Sequence, residues 1–65
     1  MSLREMRRTR AVTQQALADH VGVTQAYICA LENGKRTNPS LRILERMAEK
    51  LETNIEAIIA TLSKA

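Results

Sequence analysis

Five residues in this chain share a spacing that suits molecular recognition. Gln25, Ala26, Cys29, Ala30 and Asn33 recur at steps of one, three, one and three. On a helix turning ~100° per residue they fall on one arc about 140° wide. A solvated helix face ordinarily carries Lys and Glu. This one carries a Gln, an Asn and small residues, which let a backbone approach another surface closely. A glutamine amide pairs bidentately with adenine N6 and N7, and an alanine methyl can touch the thymine methyl. Glu32 borders the arc, but no carboxylate lies inside it, as contact with a polyanionic duplex requires. The chemistry implied is hydrogen bonding to base edges, with no covalent step.

Composition removes the alternatives. The chain has 65 residues, so it is read as one domain, 1–65, with 10 Lys+Arg against 7 Asp+Glu and a net charge of +3. A domain of this size buries only about 60% of its unfolded surface, leaving little core to spare for an enzyme's cleft. No Ser/His/Asp arrangement, paired carboxylates or Gly-rich phosphate loop is present, so it is read as no enzyme. One Cys and one His are too few for a disulfide or a zinc site within the chain. Tyr27 is the only aromatic, which rules out a base-stacking platform. The basic N-terminal stretch is not followed by an apolar run, so it does not read as a signal peptide, and no apolar run reaches the ~20 residues of a membrane span. The expectation is a cytoplasmic protein without cofactor, metal, membrane or small-molecule ligand.

The elements that must position the arc are helices. Strand alternation is absent, and Ala, Leu, Glu, Arg, Lys and Gln dominate. Five short helices are predicted. The first runs from about Leu3 to Arg10, opened by a Ser2/Glu5 capping box, with Leu3 and Met6 inward and Arg4, Arg7 and Arg8 towards water. The second runs from Gln14 to about Val21, with Thr13 as N-cap and Gly22 as its left-handed end. The third follows Thr24, another N-cap, and ends at Asn33-Gly34. After a polar loop, Asn38 or Ser40 caps the fourth, whose apolar stripe is Leu41, Leu44, Ala48 and Leu51. Thr53 and Glu56 form a second capping box before the fifth, with Ile55, Ile58, Ile59 and Leu62 on one face. The second and third helices are separated so briefly that they must meet at a sharp corner. Their inner positions are Leu17, Val21, Val23, Ile28 and Leu31. Ala18 falls where the two helices cross most closely.

The stretch TQQALADHVGVTQAYICALENGKRTNPS, residues 13–40, resembles the helix-turn-helix regulators of the Xre type, the group of phage Cro and repressor DNA-binding domains. The likeness extends over nearly the whole chain. It implies an all-α, five-helix, lambda-repressor-like fold with the motif at 14–33 and double-stranded DNA as partner. In that family the second helix of the motif enters the major groove and its N-terminal residues touch base edges. The resemblance therefore assigns base contacts to Gln25, Ala26, Cys29 and Ala30. It assigns phosphate contacts to Gln14, Thr24, Tyr27, Asn33, Lys35 and Arg36. Many members carry long polar readers where this chain has Ala26 and Ala30, so direct readout here is expected to be thin, with DNA shape and phosphates carrying more of the specificity. In that family an Arg before the motif often pairs with the Glu after the recognition helix; Arg10, nearest the start of the motif, is expected either to reach DNA or to pair with Glu32.

The apolar stripe of the fifth helix is wider than one small core needs. Leu51, Ile55, Ile58, Ile59 and Leu62, within 48–65, are the expected homodimer interface. A two-fold dimer reads two half-sites about one helical turn apart, hence a near-palindromic operator. The leading reading is a transcriptional regulator, as a repressor or a restriction-modification-type controller. The competing one is a protein-interaction module, such as an antitoxin-like partner that touches DNA weakly or not at all. A steep salt dependence of DNA binding separates the two.

Overall fold

The computed structural model describes residues 2–36 and 38–62, so residues 63–65 of the expected dimer region lie outside it. Five helices follow in order: α1 (Leu3–Thr9), α2 (Gln14–Val21), α3 (Gln25–Glu32), α4 (Leu41–Lys50) and α5 (Ile55–Leu62). No strand occurs among the described residues, so the molecule is all-α.

Each helix starts where its capping residue dictates. Ser2 and Glu5 form the expected capping box. The hydroxyls of Thr13, Thr24 and Ser40 accept the backbone N–H of Ala16, Tyr27 and Ile43, satisfying donors that a helix start would leave unpaired. Of the two caps expected for α4, Ser40 is the one used. The box expected at Thr53 and Glu56 gives way to Asn54, whose Oδ1 accepts Ala57 N–H at 2.8 Å. Asn is as good a cap as Thr and stands one residue nearer the helix.

α2 turns into α3 at Gly22, whose φ of 89° is cheap only without a Cβ. The N–H groups of Gly22 and Val23 both return to the Ala18 carbonyl, at 2.8 and 3.1 Å. That closure sets the corner. Leu17, Ala18, Val21 and Ile28 are fully buried, Leu31 nearly so, and Val23 packs at the edge. The inner set is therefore as expected, including the small residue at the crossing.

α4 and α5 complete the core with Leu44, Met47, Ala48, Leu51 and Ile58. Two stripe residues change places with expectation. Leu41 opens α4 at the far end and is 62% exposed, whereas Met47, one turn before Leu51, is fully buried. Leu51 and Ile58 are both at 0% exposure. Both belong to the chain's own core, which withdraws them from the expected dimer face. Ile55 and Leu62 are half-buried and Ile59 is 47% exposed; these three are what remains of that face.

Candidate nucleic-acid interface

The outer arc of α3 is open. Gln25, Ala26 and Asn33 are exposed, and Cys29 and Ala30 are half-buried. The five stand together, as their spacing required. The helix ends in a backbone motif that places the following loop. Gly34, at φ 76°, lets Lys35 N–H return to the Ala30 carbonyl at 2.9 Å and Gly34 N–H to Leu31 at 3.3 Å. Lys35 and Arg36 thereby stand exposed beside the arc. The Arg36 guanidinium lies 5.2 Å from the Tyr27 ring centroid, close enough for a cation–π contact. Thr24, Ala26, Tyr27, Ala30 and Arg36 line a shallow recess of about 230 Å³.

The acid of α3 is turned the other way. The Glu32 side chain is at 0% exposure. Its carboxylate takes Arg7 Nε at 2.6 Å and Arg7 Nη2 at 3.2 Å, Arg4 Nε at 3.2 Å and Gln14 Nε2 at 2.9 Å. Burial alone would push this carboxyl up. The hydrogen bonds from Arg7, Gln14 and Arg4, with the Arg7 charge, overcome that and hold it below the ordinary carboxylate range. The outer face of α3 thus shows amides, a thiol and methyls, with positive charge at its edge.

Three expectations about the arginines need correction. Arg7 does not face water; it is 7% exposed, and its Nη1 also donates to the Val12 carbonyl at 2.9 Å. Arg4 is half-buried, and its Nη2 donates to Asn33 Oδ1 at 3.1 Å. Glu32 is paired by Arg7 and Arg4, whereas Arg10 is exposed. The signal was present: Arg7 stands one turn after the buried Leu3, on the same face of α1. The Gln14 side chain is engaged within the protein. Nε2 donates to Glu32, and Oε1 accepts Gln25 Nε2 at 3.3 Å. One amide hydrogen and the main-chain N–H at the start of α2 remain for a phosphate. Asn33 is likewise engaged, its Nδ2 donating to Cys29 Sγ at 3.4 Å.

The architecture, an exposed amide-headed helix held by a tight corner on a capped scaffold helix, is matched by a family model described as helix-turn-helix, over residues 3–58. The chain belongs to the Xre-type helix-turn-helix family. That family comprises DNA-binding transcriptional regulators, and its relatives carry this assignment in their names. The chain is 38% identical over 58 residues to an uncharacterized HTH-type transcriptional regulator, RghRB, of Bacillus subtilis, covering 89% of this chain and 42% of that protein. It is 37% identical over 57 residues to the HTH-type transcriptional repressor RghR of the same organism, covering 88% and 42%. It is 43% identical over 54 residues to an uncharacterized HTH-type transcriptional regulator of Archaeoglobus fulgidus, covering 83% and 76%. The chain therefore spans less than half the length of the two Bacillus regulators. No solved structure matches it. No helix among the described residues is long and apolar enough to cross a membrane.

Proposed function

We propose that the chain is a sequence-specific, homodimeric DNA-binding regulator that occupies a near-palindromic operator and represses transcription from it. The observation that carries this reading is the polarity of α3. Its only acid is folded inward onto two arginines, while its outer face is free of negative charge and flanked by Lys35 and Arg36. Pairing Glu32 inward stabilises the fold, and it also leaves the outer face of α3 without the negative charge that a polyanionic groove would repel. Gln25 leads the base-reading face, with Ala26, Cys29 and Ala30 behind it. Thr24, Tyr27, Asn33, Lys35, Arg36 and the start of α2 at Gln14 meet phosphates. Ile55, Ile59 and Leu62 supply the dimer contact. The name of RghR as a repressor favours repression over activation, and steric occlusion demands little of so small a surface. The site of action is the cytoplasm of a bacterium, an archaeon or a phage-infected cell.

Selection of bound fragments from random DNA yields the operator, and a salt titration follows on it. The logarithm of affinity should fall with log salt at about −0.9 per phosphate contact. Gln25→Ala should relax base preference at one operator position by roughly 1–3 kcal/mol. Lys35→Ala, present in both protomers of the dimer, should weaken all sequences alike and lower the salt slope by about two, one for each protomer. A flat salt response with no selected sequence would sink the reading and leave a protein-interaction module.

A further inference from the structure

Glu32 gathers more positive charge than it needs. One guanidinium balances a carboxylate, and Arg7, 7% exposed, already gives it two hydrogen bonds. Arg4 is the surplus cation. Its Nε donates to Glu32 at 3.2 Å and its Nη2 to Asn33 Oδ1 at 3.1 Å, yet its side chain stays 42% exposed. An arginine carries five N–H donors. Two are spent on these partners, and three remain beside Asn33, an exposed member of the outer arc.

The arc has two flanks, and each carries a cation. At ~100° per residue Glu32 falls about 20° beyond the Gln25 edge of α3, and Tyr27 about 60° beyond the Ala30 edge. Arg4 is anchored on the Glu32 side. Arg36 lies on the other, 5.2 Å from the Tyr27 ring centroid. The major groove, about 12 Å wide, admits a helix between two sugar–phosphate walls. We propose that Arg4 grips a phosphate on one wall of the groove while Arg36 grips the opposite wall, so that α1 shares in DNA binding. The proposal rests on the reading of α3 as the helix that enters the groove. Glu32 and Asn33 hold the Arg4 guanidinium at its flank before DNA arrives, which cuts the ordering cost of the contact.

The test exploits the independence of phosphate contacts from sequence. Salt slopes are measured on a random-sequence duplex with wild type, Arg4→Gln and Arg4→Lys. Arg7 remains to balance Glu32, so Arg4→Gln should fold, and urea unfolding checks that it does. Its slope should be shallower by about two per dimer, one contact for each protomer, so that roughly tenfold less affinity is lost between about 50 and 200 mM salt. Arg4→Lys keeps a point charge and should restore the slope. Arg4 also brings positive charge to the end of α3, whose last turn has no basic residue of its own. Were that its whole role, Arg4→Gln would lower the urea midpoint and leave the slope as in wild type, which overturns the proposal. Single neutral methylphosphonates, placed in turn along each strand of the selected operator, locate the contacts. Arg4→Gln should silence a sensitive position on one strand, and Arg36→Gln a position on the other strand of the same half-site. Silencing on the same strand by both variants overturns the opposed grip. A flat slope for wild type removes the groove-entering helix, and the Arg4 contact with it.

Discussion

Glu32 gathers four side-chain hydrogen bonds from three residues on two other helices. Its carboxyl is held below its ordinary value, so folding favours the charged form. The sign of the pH dependence follows. An unfolded Glu ionises near ~4.3; above that value the stabilisation is fully present. It is lost as pH falls towards and through the lower folded value, because the unfolded chain takes up the proton first. Glu5, lowered by its hydrogen bonds at Ser2, acts in the same direction. Urea midpoints should therefore hold from about pH 7 to about pH 5 and fall below about pH 4. Glu32→Gln should flatten the acid limb. Glu32→Ala strands a nearly buried guanidinium and should cost about 3–5 kcal/mol, enough to unfold most of so small a domain. An acid limb unchanged in Glu32→Gln would show that other groups govern acid unfolding.

At the scale of elements, four helices end on a left-handed residue: Ala11, Gly22, Gly34 and Glu52. Only two are glycine. A Cβ at positive φ costs roughly 1–2 kcal/mol, and glycine returns about 0.5–1 of that through its freer unfolded chain. Ala11 is exposed, so Ala11→Gly removes no packing and should stabilise by about 0.5–1 kcal/mol, raising Tm by roughly 2–8 °C. Gly22→Ala should do the reverse; nothing lies within 4 Å of an added Cβ there, so its whole cost is backbone strain. Equal Tm values for Ala11→Gly and wild type would mean that strain at Ala11 is relieved elsewhere. These ends also mark what the sequence could and could not disclose. The α2–α3 corner was legible because Gly22, Ala18 and five aliphatic positions agree on one geometry. The ends of α1 and α4 carried no glycine, so nothing local announced them. The outward arc of α3 was legible from the step of the helix, because a run of small and amide side chains is odd for a solvated helix. Its inner support was not. Arg4, Arg7, Gln14 and Glu32 lie on three different helices, and only their packing shows that Gln14 spends its amide within the protein.

At the scale of the molecule, the dimer proposed above has to reconcile a narrow apolar face with the repeat of DNA. Half-sites one turn apart, ~34 Å, place each recognition helix about 17 Å from the dyad. The chain measures 28 × 21 × 20 Å, so an offset of that size lies within its long dimension. α5 packs on α4 and α1 and leaves Ile59 at 47% exposure, beside the half-buried Ile55 and Leu62, so the proposed dyad is put on α5. The choice of substitution is decisive, because neighbouring positions on α5 answer different questions. Ile58→Ala opens the protomer's core and should cost about 2–5 kcal/mol, a loss that says nothing of assembly. Ile59→Glu leaves that core whole and places two carboxylates across the dyad. Its unfolding midpoint at low concentration should stay within about 0.5 kcal/mol of wild type, while sedimentation equilibrium should show the dimer lost. On the operator, affinity should drop towards that of a single half-site, since the second contact is no longer made at the effective concentration a tethered partner provides. If Ile59→Glu sediments as wild type does and binds the operator unchanged, α5 is not at the dyad, and the pairing surface must be sought elsewhere on the molecule.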